Sequence, residues 1–230
     1  MRNTIYLISL FGLLASCNPK TPEQIFDERS NQKSVETHEK LDSILNTLEQ
    51  LKYKDLDSNY IAYAELNGDF NHVYKGKKFY KIHKNDGFKF IVGKTRINEL
   101  LPEDKYFNSG EDQILFMDKR ILHKLLDLTL LLKKQEYNYL AYDVYYGFRH
   151  PRFNREIRGA KTSQHIGGKA IDIRIGDIDK NGIINETDKA IVIDILEKDV
   201  IKDEGGIGKY PGTQCVHMDV RGHRARWDSY

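Results

Sequence analysis

The chain has 230 residues, of which 40% are hydrophobic and 30% charged, and this composition is typical of a globular protein rather than a disordered or fibrous one. Its 36 Lys and Arg residues nearly balance its 34 Asp and Glu residues, so the net charge of +2 lacks the basic excess of nucleic-acid-binding proteins, and we expect no nucleic-acid partner. The two cysteines, Cys17 and Cys215, exclude a scaffold held by several disulfides.

The N-terminal segment has the pattern of a lipoprotein signal. Arg2 precedes an apolar run over residues 5–15, which is shorter than the roughly 17–25 residues that a membrane-spanning helix needs. The run ends in Leu-Ala-Ser before Cys17 and resembles the bacterial lipobox. The resemblance implies that residues 1–16 are a signal peptide and that a lipid on Cys17 anchors the protein to a membrane of the cell envelope. An ordinary secretion signal followed by an incidental cysteine is the alternative.

Three further segments follow. Residues 17–58 predict a polar tether and an amphipathic helix, because apolar residues recur at helical spacing over residues 35–51. Residues 59–100 are rich in Tyr, Phe, Val and Ile between turn signals, which predicts a small β-rich extension. Residues 101–230 begin with a helix, for which Asp118 is the predicted N-cap, and continue with strands interrupted by another helix. This order predicts an α+β domain with an antiparallel sheet and flanking helices.

The most informative residues lie in this last segment. His165 precedes Asp172 by seven residues, and the intervening glycines allow a tight turn before the strand on which Asp172 lies. Because side chains alternate along a strand, Cys215, His217 and Asp219 share one face of the last long strand. His165, Asp172 and His217 therefore form a plausible set of two imidazoles and one carboxylate. Three protein ligands with one open position are the arrangement of catalytic zinc sites.

These motifs resemble those of the zinc D-Ala-D-Ala carboxypeptidase family, which includes the hedgehog fold. The resemblance spans roughly residues 139–227. It is carried by Tyr146-Gly147-Phe148-Arg149, Ser163-Gln164-His165, Asp172, Gly205-Gly206-Ile207-Gly208 and Val216-His217-Met218-Asp219. The resemblance implies that His165, Asp172 and His217 bind zinc and that Arg149 holds a carboxylate or carbonyl of the substrate. The alternatives are a hydrogen-bonded His–Asp pair and, for Arg149, an ordinary ion pair.

One position departs from the family pattern. Many members carry a carboxylate three residues before the last zinc histidine, where it acts as general base, and this chain has Gln214 there. A neutral amide cannot take a proton from water. Asp219 is the best local candidate for the base, since it shares a strand face with His217, and its alternative role is to orient a zinc ligand. Glu204 and His223 are weaker candidates.

A second metal site is predicted between the second and third zinc ligands. Residues 177–188 match an EF-hand calcium loop, with a glycine at position six and an apolar residue at position eight. Position twelve is an aspartate, as in dockerin-type loops, instead of the usual glutamate. The predicted calcium ligands are Asp177, Asp179, Asn181, the backbone carbonyl of Ile183, and Asp188. The alternative is a turn that only caps the next helix.

The resemblance and the predicted anchor lead to one functional expectation. We expect a zinc metallopeptidase of the cell envelope that hydrolyses peptide bonds of peptidoglycan stem peptides, as a carboxypeptidase or an endopeptidase. Zinc would be catalytic and calcium structural. Because Gln214 replaces a carboxylate, the alternative is a catalytically weak or inactive module that binds cell-wall peptides.

Overall fold

A computed structural model of the protein describes residues 35–56, 58, 71–101 and 112–228. The predicted signal peptide, the lipidation site Cys17 and most of the predicted tether lie outside the described residues, as do residues 59–70 of the predicted extension. No helix within the described ranges has both the length and the apolar character needed to cross a membrane.

The N-terminal half builds a small antiparallel sheet. Its strands are β1 (Glu49–Lys52), β2 (Lys78–His83) and, after the hairpin of β3 (Phe90–Val92) and β4 (Thr95–Arg96), β5 (Asp112–Leu115). β2 lies in the middle, between β1 and β5. The sheet therefore takes strands from both sides of the boundaries predicted at residues 58 and 100.

A second sheet of five strands forms the C-terminal half. Its strands are β6 (Tyr142–Tyr146), β7 (Ala170–Ile175), β8 (Gly206–Gly208), β9 (Cys215–Asp219) and β10 (Ala225–Trp227), in the order β10-β8-β9-β7-β6. All neighbours are antiparallel except β10, which runs parallel to β8. One face of β7 and β9 is fully buried and apolar, through Ile171, Ile173, Val216 and Met218.

Five helices accompany the sheets within the described residues: α1 (His38–Thr47), α2 (Asn71–Tyr74), α3 (Lys119–Lys134), α4 (Pro151–Glu156) and α5 (Glu186–Ile195). α5 continues into a π-helical turn over Leu196–Val200. α3 is the central helix, and Asp118 caps it by accepting a hydrogen bond from the backbone N–H of Arg120. The apolar stripe of α3 is fully buried and contains Ile121, Leu122, Leu125, Leu126, Leu128 and Leu132.

The observed fold confirms the predicted α+β class with an antiparallel sheet and flanking helices. The helix predicted over residues 35–51 is shorter than its apolar spacing indicates. It ends at Thr47, because Leu48 adopts an extended backbone, and Leu51 pairs with Phe79 in the small sheet. The apolar pattern therefore continues from a helix into a strand without a break.

Candidate metal centre and active site

Strand register places the site on the face of the large sheet opposite the apolar core. Asp172 of β7 lies directly opposite His217 of β9 and, on its other side, opposite Tyr146 of β6. His165 comes from the turns that precede β7, where its backbone carbonyl accepts a hydrogen bond from Arg149 N–H. The structure thus brings the three predicted zinc ligands together from three separate segments.

The three side chains converge on one point. His165 Nε2 lies 3.2 Å from Asp172 Oδ1 and 3.2 Å from His217 Nδ1, and His217 Nδ1 lies 2.7 Å from Asp172 Oδ1. All three residues are at most 6% exposed. Among the described residues they form one of two groups close enough to hold a metal ion.

Hydrogen bonds behind the rings decide which nitrogens face this point. His165 Nδ1 donates to the backbone carbonyl of Gly147 at 2.7 Å, so its Nε2 is left as an acceptor. His217 Nε2 donates to Asp219 Oδ2 at 3.0 Å, which directs Nδ1 toward Asp172. Two imidazole lone pairs and a carboxylate oxygen therefore meet in a buried space, and such a donor set fits Zn²⁺.

Burial and the neighbouring side chains shift the pKa of each of the three residues. Burial alone would lower the pKa of both imidazoles, and it does hold the pKa of His165 below its ordinary value. For His217 the hydrogen bonds from its ring to Asp172 and Asp219 outweigh burial and raise the pKa. Burial would raise the pKa of Asp172, but the neighbouring histidines outweigh it and hold that pKa well below its usual value. The cluster therefore favours a positive charge at its centre.

Arg149 lies beside the cluster. Its Nη2 donates to Asp172 Oδ2, and its guanidinium stacks on the ring of Tyr146 at 4.3 Å from the ring centroid. Nε of Arg149 is buried and has no hydrogen-bond partner among the described residues. The ion pair that was the alternative for Arg149 is thus present, and it is formed with one of the predicted metal ligands.

Asp219 does not face the centre of the cluster. Besides His217 it accepts hydrogen bonds from the backbone N–H of Gly206 and from the side chain of Arg221, and it is fully buried. Burial would raise the pKa of Asp219, but His217 and Arg221 hold it well below its usual value, so the carboxylate is a weak proton acceptor. This geometry favours the orienting contact over the base role, and both roles of Asp219 stay predictions.

Close approach of neighbouring backbone keeps Asp219 in place. A Cβ on Gly206 would lie 2.3 Å from Asp219 Oδ2, and a Cβ on Gly208 would lie 2.7 Å from the indole of Trp227. β8 can therefore run alongside these side chains only because both positions are glycine.

The comparison with protein families decides the class of protein. The family model Peptidase M15_2, described as peptidoglycan L,D-endopeptidase MepK, matches residues 68–227. The chain belongs to this peptidase family. The match confirms the predicted relationship to zinc peptidases of the M15 type and covers both the metal cluster and most of the small sheet. No curated protein and no solved structure matches the chain.

The cluster opens into a cavity of about 570 Å³, called here the active-site cavity. Its walls carry cationic and aromatic side chains: Arg149, Arg158, Arg221, Tyr145, Tyr146, Tyr210 and Trp227. The ring of Trp227 lies 5.0 Å from that of His217. Cys215 also lines the cavity as a free cysteine, and burial raises the pKa of its thiol. The family resemblance over roughly residues 139–227 extends to Trp227, but no sequence pattern indicated that Tyr210 would join the wall.

Asp172 is the one carboxylate among the described residues that line this cavity. Gln214 does not line it, and its amide oxygen is buried without a hydrogen-bond partner in the described structure. Glu204 is 74% exposed and pairs with Lys124, and His223 is exposed. The weaker base candidates are therefore not in the active-site cavity either.

The predicted calcium loop forms the second group of potential metal ligands. Carboxylate oxygens of Asp177, Asp179 and Asp188 lie within 4.8 Å of one another. Asp188 accepts backbone hydrogen bonds from Ile178, Asp179 and Asn185, the last as part of a capping box at the start of α5. The helix-capping role that was the alternative is therefore realised.

The remaining predicted ligands of this loop are held by its own turns. Asn181 accepts from the backbone N–H of Ile183 and donates its side-chain amide to Asp179. The carbonyl of Ile183 accepts from the Asn185 side chain at 3.3 Å. Asp188 Oδ1 accepts two backbone hydrogen bonds, but the other carboxylate oxygens of Asp177, Asp179 and Asp188 accept one each. Since a carboxylate oxygen has two lone pairs, these others keep acceptor capacity for a hard cation.

Proposed function

We propose that the protein is a zinc-dependent endopeptidase of peptidoglycan. The observation that carries the proposal is the convergence of His165, Asp172 and His217 at the floor of an open cavity, in a chain of a family whose model is described as a peptidoglycan L,D-endopeptidase. The family description favours an endopeptidase over the carboxypeptidase that the resemblance also allowed.

Each residue of the site would have a separate role in hydrolysis. When bound, zinc would supply Lewis acidity, lowering the pKa of a water molecule and polarising the scissile carbonyl. Arg149 would turn from Asp172 toward the substrate and bind its carbonyl or carboxylate oxygen through two N–H groups. Asp219 and the Gly147 carbonyl would keep the two imidazoles oriented. The aromatic side chains that line the active-site cavity would shield the bound peptide from water.

The test is digestion of purified cross-linked muropeptides by the zinc-loaded chain, followed by mass spectrometry. An endopeptidase converts dimers into monomers, whereas a carboxypeptidase removes a single terminal residue. Dimers linked through an L,D bond and through a D,D bond are offered separately, and we expect cleavage of the L,D bond. Cleavage of only a terminal residue would contradict the proposal.

A second candidate is a module that binds cell-wall peptides with little or no turnover. It is favoured by one observation, the absence of a carboxylate other than Asp172 from the described walls of the active-site cavity. General-base assistance contributes about 10²–10⁴-fold to such reactions, so its loss leaves slow turnover rather than none. Binding of a muropeptide dimer without any cleavage over days would favour this candidate.

We further propose that residues 177–188 bind Ca²⁺ as a structural ion. The support is the EF-hand spacing and the three converging carboxylates. Calcium at about 100 times its dissociation constant would stabilise the fold by roughly 2.7 kcal/mol. Thermal melts with and without calcium should show this rise for the wild type and not for Asp177→Ala. An equal melting temperature with and without calcium would leave helix capping as the function of the loop.

Anchoring at the cell envelope through a lipid on Cys17 is likewise a proposal, supported by the lipobox-like sequence. Cells fed with a labelled fatty acid should incorporate the label into the wild-type chain and not into Cys17→Ala. A labelled Cys17→Ala chain would contradict this site of lipidation.

A further inference from the structure

A second cavity lies next to the one that contains the metal cluster. It has a volume of about 680 Å³, and its lining includes Lys77, Lys78, Lys161 and Lys169. We call it the lysine cavity. Its floor is apolar and includes Val73, Phe116 and Met117. The function proposed above makes no use of this space.

The two cavities share a wall. Thr162 and Ser163 line both of them, and His165 follows in the same segment with its ring in the active-site cavity. Gln164 and Ile166 line the lysine cavity from that segment. Tyr74 fixes the wall by donating its hydroxyl to the Ile166 carbonyl at 3.0 Å. A ligand that passes over residues 162–163 would therefore enter both cavities.

The described residues that line the lysine cavity carry a net positive charge. No salt bridge joins any of its four lysines to an acidic residue within the described part of the chain. The one acidic side chain in its lining, Asp118, is held by Arg120 through both of its carboxylate oxygens. The charge also continues outside the cavity, because Lys77 and Lys78 line a neighbouring groove together with Lys52, Lys54 and Lys75. Since the whole chain has a net charge of only +2, these lysines are a strong local concentration of positive charge.

We propose that the lysine cavity binds the carboxylates of the second stem peptide of a cross-linked substrate, while the first stem lies in the active-site cavity. This inference rests on the proposed endopeptidase function, since only a cross-linked substrate has two stems to place. Ammonium groups recognise carboxylates through charge-assisted hydrogen bonds, and the apolar floor fits the aliphatic parts of a peptide.

The experiment compares two sets of substitutions in the full chain, purified in detergent. The test variant is Lys77→Gln, Lys78→Gln and Lys161→Gln combined. The control variant is Lys94→Gln, Lys134→Gln and Lys202→Gln combined, which removes the same charge from exposed positions that line neither cavity. The probes are a muropeptide dimer with free carboxylates and the same dimer with those carboxylates amidated.

Binding and turnover are measured separately. Calorimetry on the zinc-depleted chain gives the dissociation constant, and kinetics on the zinc-loaded chain give kcat and KM. For the acidic dimer we expect the test variant to raise the dissociation constant and KM by at least about tenfold with kcat nearly unchanged. The control variant should match the wild type, and the amidated dimer should be insensitive to the test substitutions.

Four results would overturn the inference. Equal affinities of wild type and test variant for the acidic dimer would show that the lysines do not contact it. An equal loss in the control variant would show general electrostatic attraction, and an equal loss with the amidated dimer would show lost packing rather than lost charge. Loss of binding to phosphatidylglycerol vesicles, with binding of the dimer unchanged, would assign the lysines to a membrane surface instead.

The design separates this inference from the proposed activity. If the wild type cleaves neither dimer but the test variant binds the acidic dimer more weakly, the endopeptidase proposal fails and the lysine site stands. If the wild type cleaves the acidic dimer and the test variant cleaves and binds it equally well, the activity stands and the lysine site fails.

Discussion

Asp219 and the carbonyl of Gly147 act on the two histidines in the same manner. Each accepts a hydrogen bond from the ring nitrogen that points away from the metal cluster, at 3.0 Å from His217 and 2.7 Å from His165. A histidine held at one nitrogen presents a defined lone pair at the other. Asp219 is buried and also accepts hydrogen bonds from Arg221 and Gly206, so the carboxylate that holds His217 is itself held in place.

The variant Asp219→Asn tests whether Asp219 orients His217 or acts as the general base. We expect the variant to bind zinc about 10–100-fold more weakly, because the amide holds His217 less well and no longer favours a positive ring. Competition with a chromogenic chelator gives the affinity. Asp143→Asn is the control, since Asp143 is an exposed carboxylate of β6 that pairs with Arg174. Unchanged zinc affinity with kcat lowered by about 10²–10⁴-fold would instead restore the base role.

Lys189 shows how a single buried cation shapes the rim of the active-site cavity. It lies on α5, is 2% exposed, and donates to the backbone carbonyls of Tyr210 and Thr213 at 2.9 and 2.5 Å. Tyr210 has a positive φ of 40°, which a non-glycine residue rarely adopts. The ammonium therefore stabilises a loop conformation that places Tyr210 in the cavity wall.

Lys189→Met should destabilise the fold by about 1–3 kcal/mol, because the stem still packs while two charge-assisted hydrogen bonds are lost. KM should rise as well, since the Tyr210 loop is no longer fixed. Urea unfolding and steady-state kinetics measure the two effects. Lys198→Met is the matched control: that lysine is 68% exposed and pairs with Asp194, so its loss should cost no more than about 0.5 kcal/mol. A Lys189→Met chain as stable as the control would contradict the role given to this ammonium.

The strand face on which each site residue lies could be predicted from the sequence. Alternation along β9 placed His217 and Asp219 on one face, and the predicted carboxylate of β7 lies directly opposite His217. Gln214 comes directly before β9 and lies outside the cavity, with its amide oxygen buried. Alternation cannot predict which group each ring nitrogen contacts. The partner of His165 is the carbonyl of Gly147, which follows β6, and the position of Asp219, the partner of His217, depends on how closely β8 approaches β9.

The small sheet illustrates the same limit. Its residues were predicted to belong to separate segments, yet β1, β2 and β5 meet through pairing over long sequence distances. Local pattern indicates strands but not their partners. The imidazole of His83 on β2 lies between Glu49 of β1 and Asp112 of β5, at 3.0 and 2.6 Å, so three strands share one polar contact.

This contact should give the small sheet a pH dependence. The hydrogen bond from His83 to Asp112 raises the pKa of His83 above its ordinary value of 6.5, and Glu49 adds to the effect. A raised pKa stabilises the folded state fully below pH about 6.5 and loses that contribution as pH rises through the folded-state value. NMR titration of the histidine ring protons should show the raised pKa and its fall in Asp112→Asn. Asp143→Asn should leave it unchanged, and an equal fall in both variants would contradict the contact.

At the scale of the whole molecule, one strand connects the two groups of potential metal ligands. Asp172 lies within β7, and the calcium loop begins two residues after β7 ends, leading into α5 and thus to Lys189. The polypeptide from Asp172 to His217 therefore passes through both groups and returns to the metal cluster. Ligands contributed by segments this far apart in sequence meet only in the folded chain, so zinc binding and folding should be linked.

Thermal stability measures this linkage. Zinc at about 100 times its dissociation constant adds roughly 2.7 kcal/mol to a chain that binds it only when folded, which corresponds to a rise in Tm of about 5–10 °C for a domain of this size. The rise should shrink on acidification below neutral pH, because the raised pKa of His217 means that zinc must displace a more tightly held proton. His217→Ala should abolish the rise at every pH, since two remaining ligands hold zinc poorly. A rise that persists in His217→Ala, or one that does not depend on pH, would place the stabilising zinc outside the cluster of His165, Asp172 and His217.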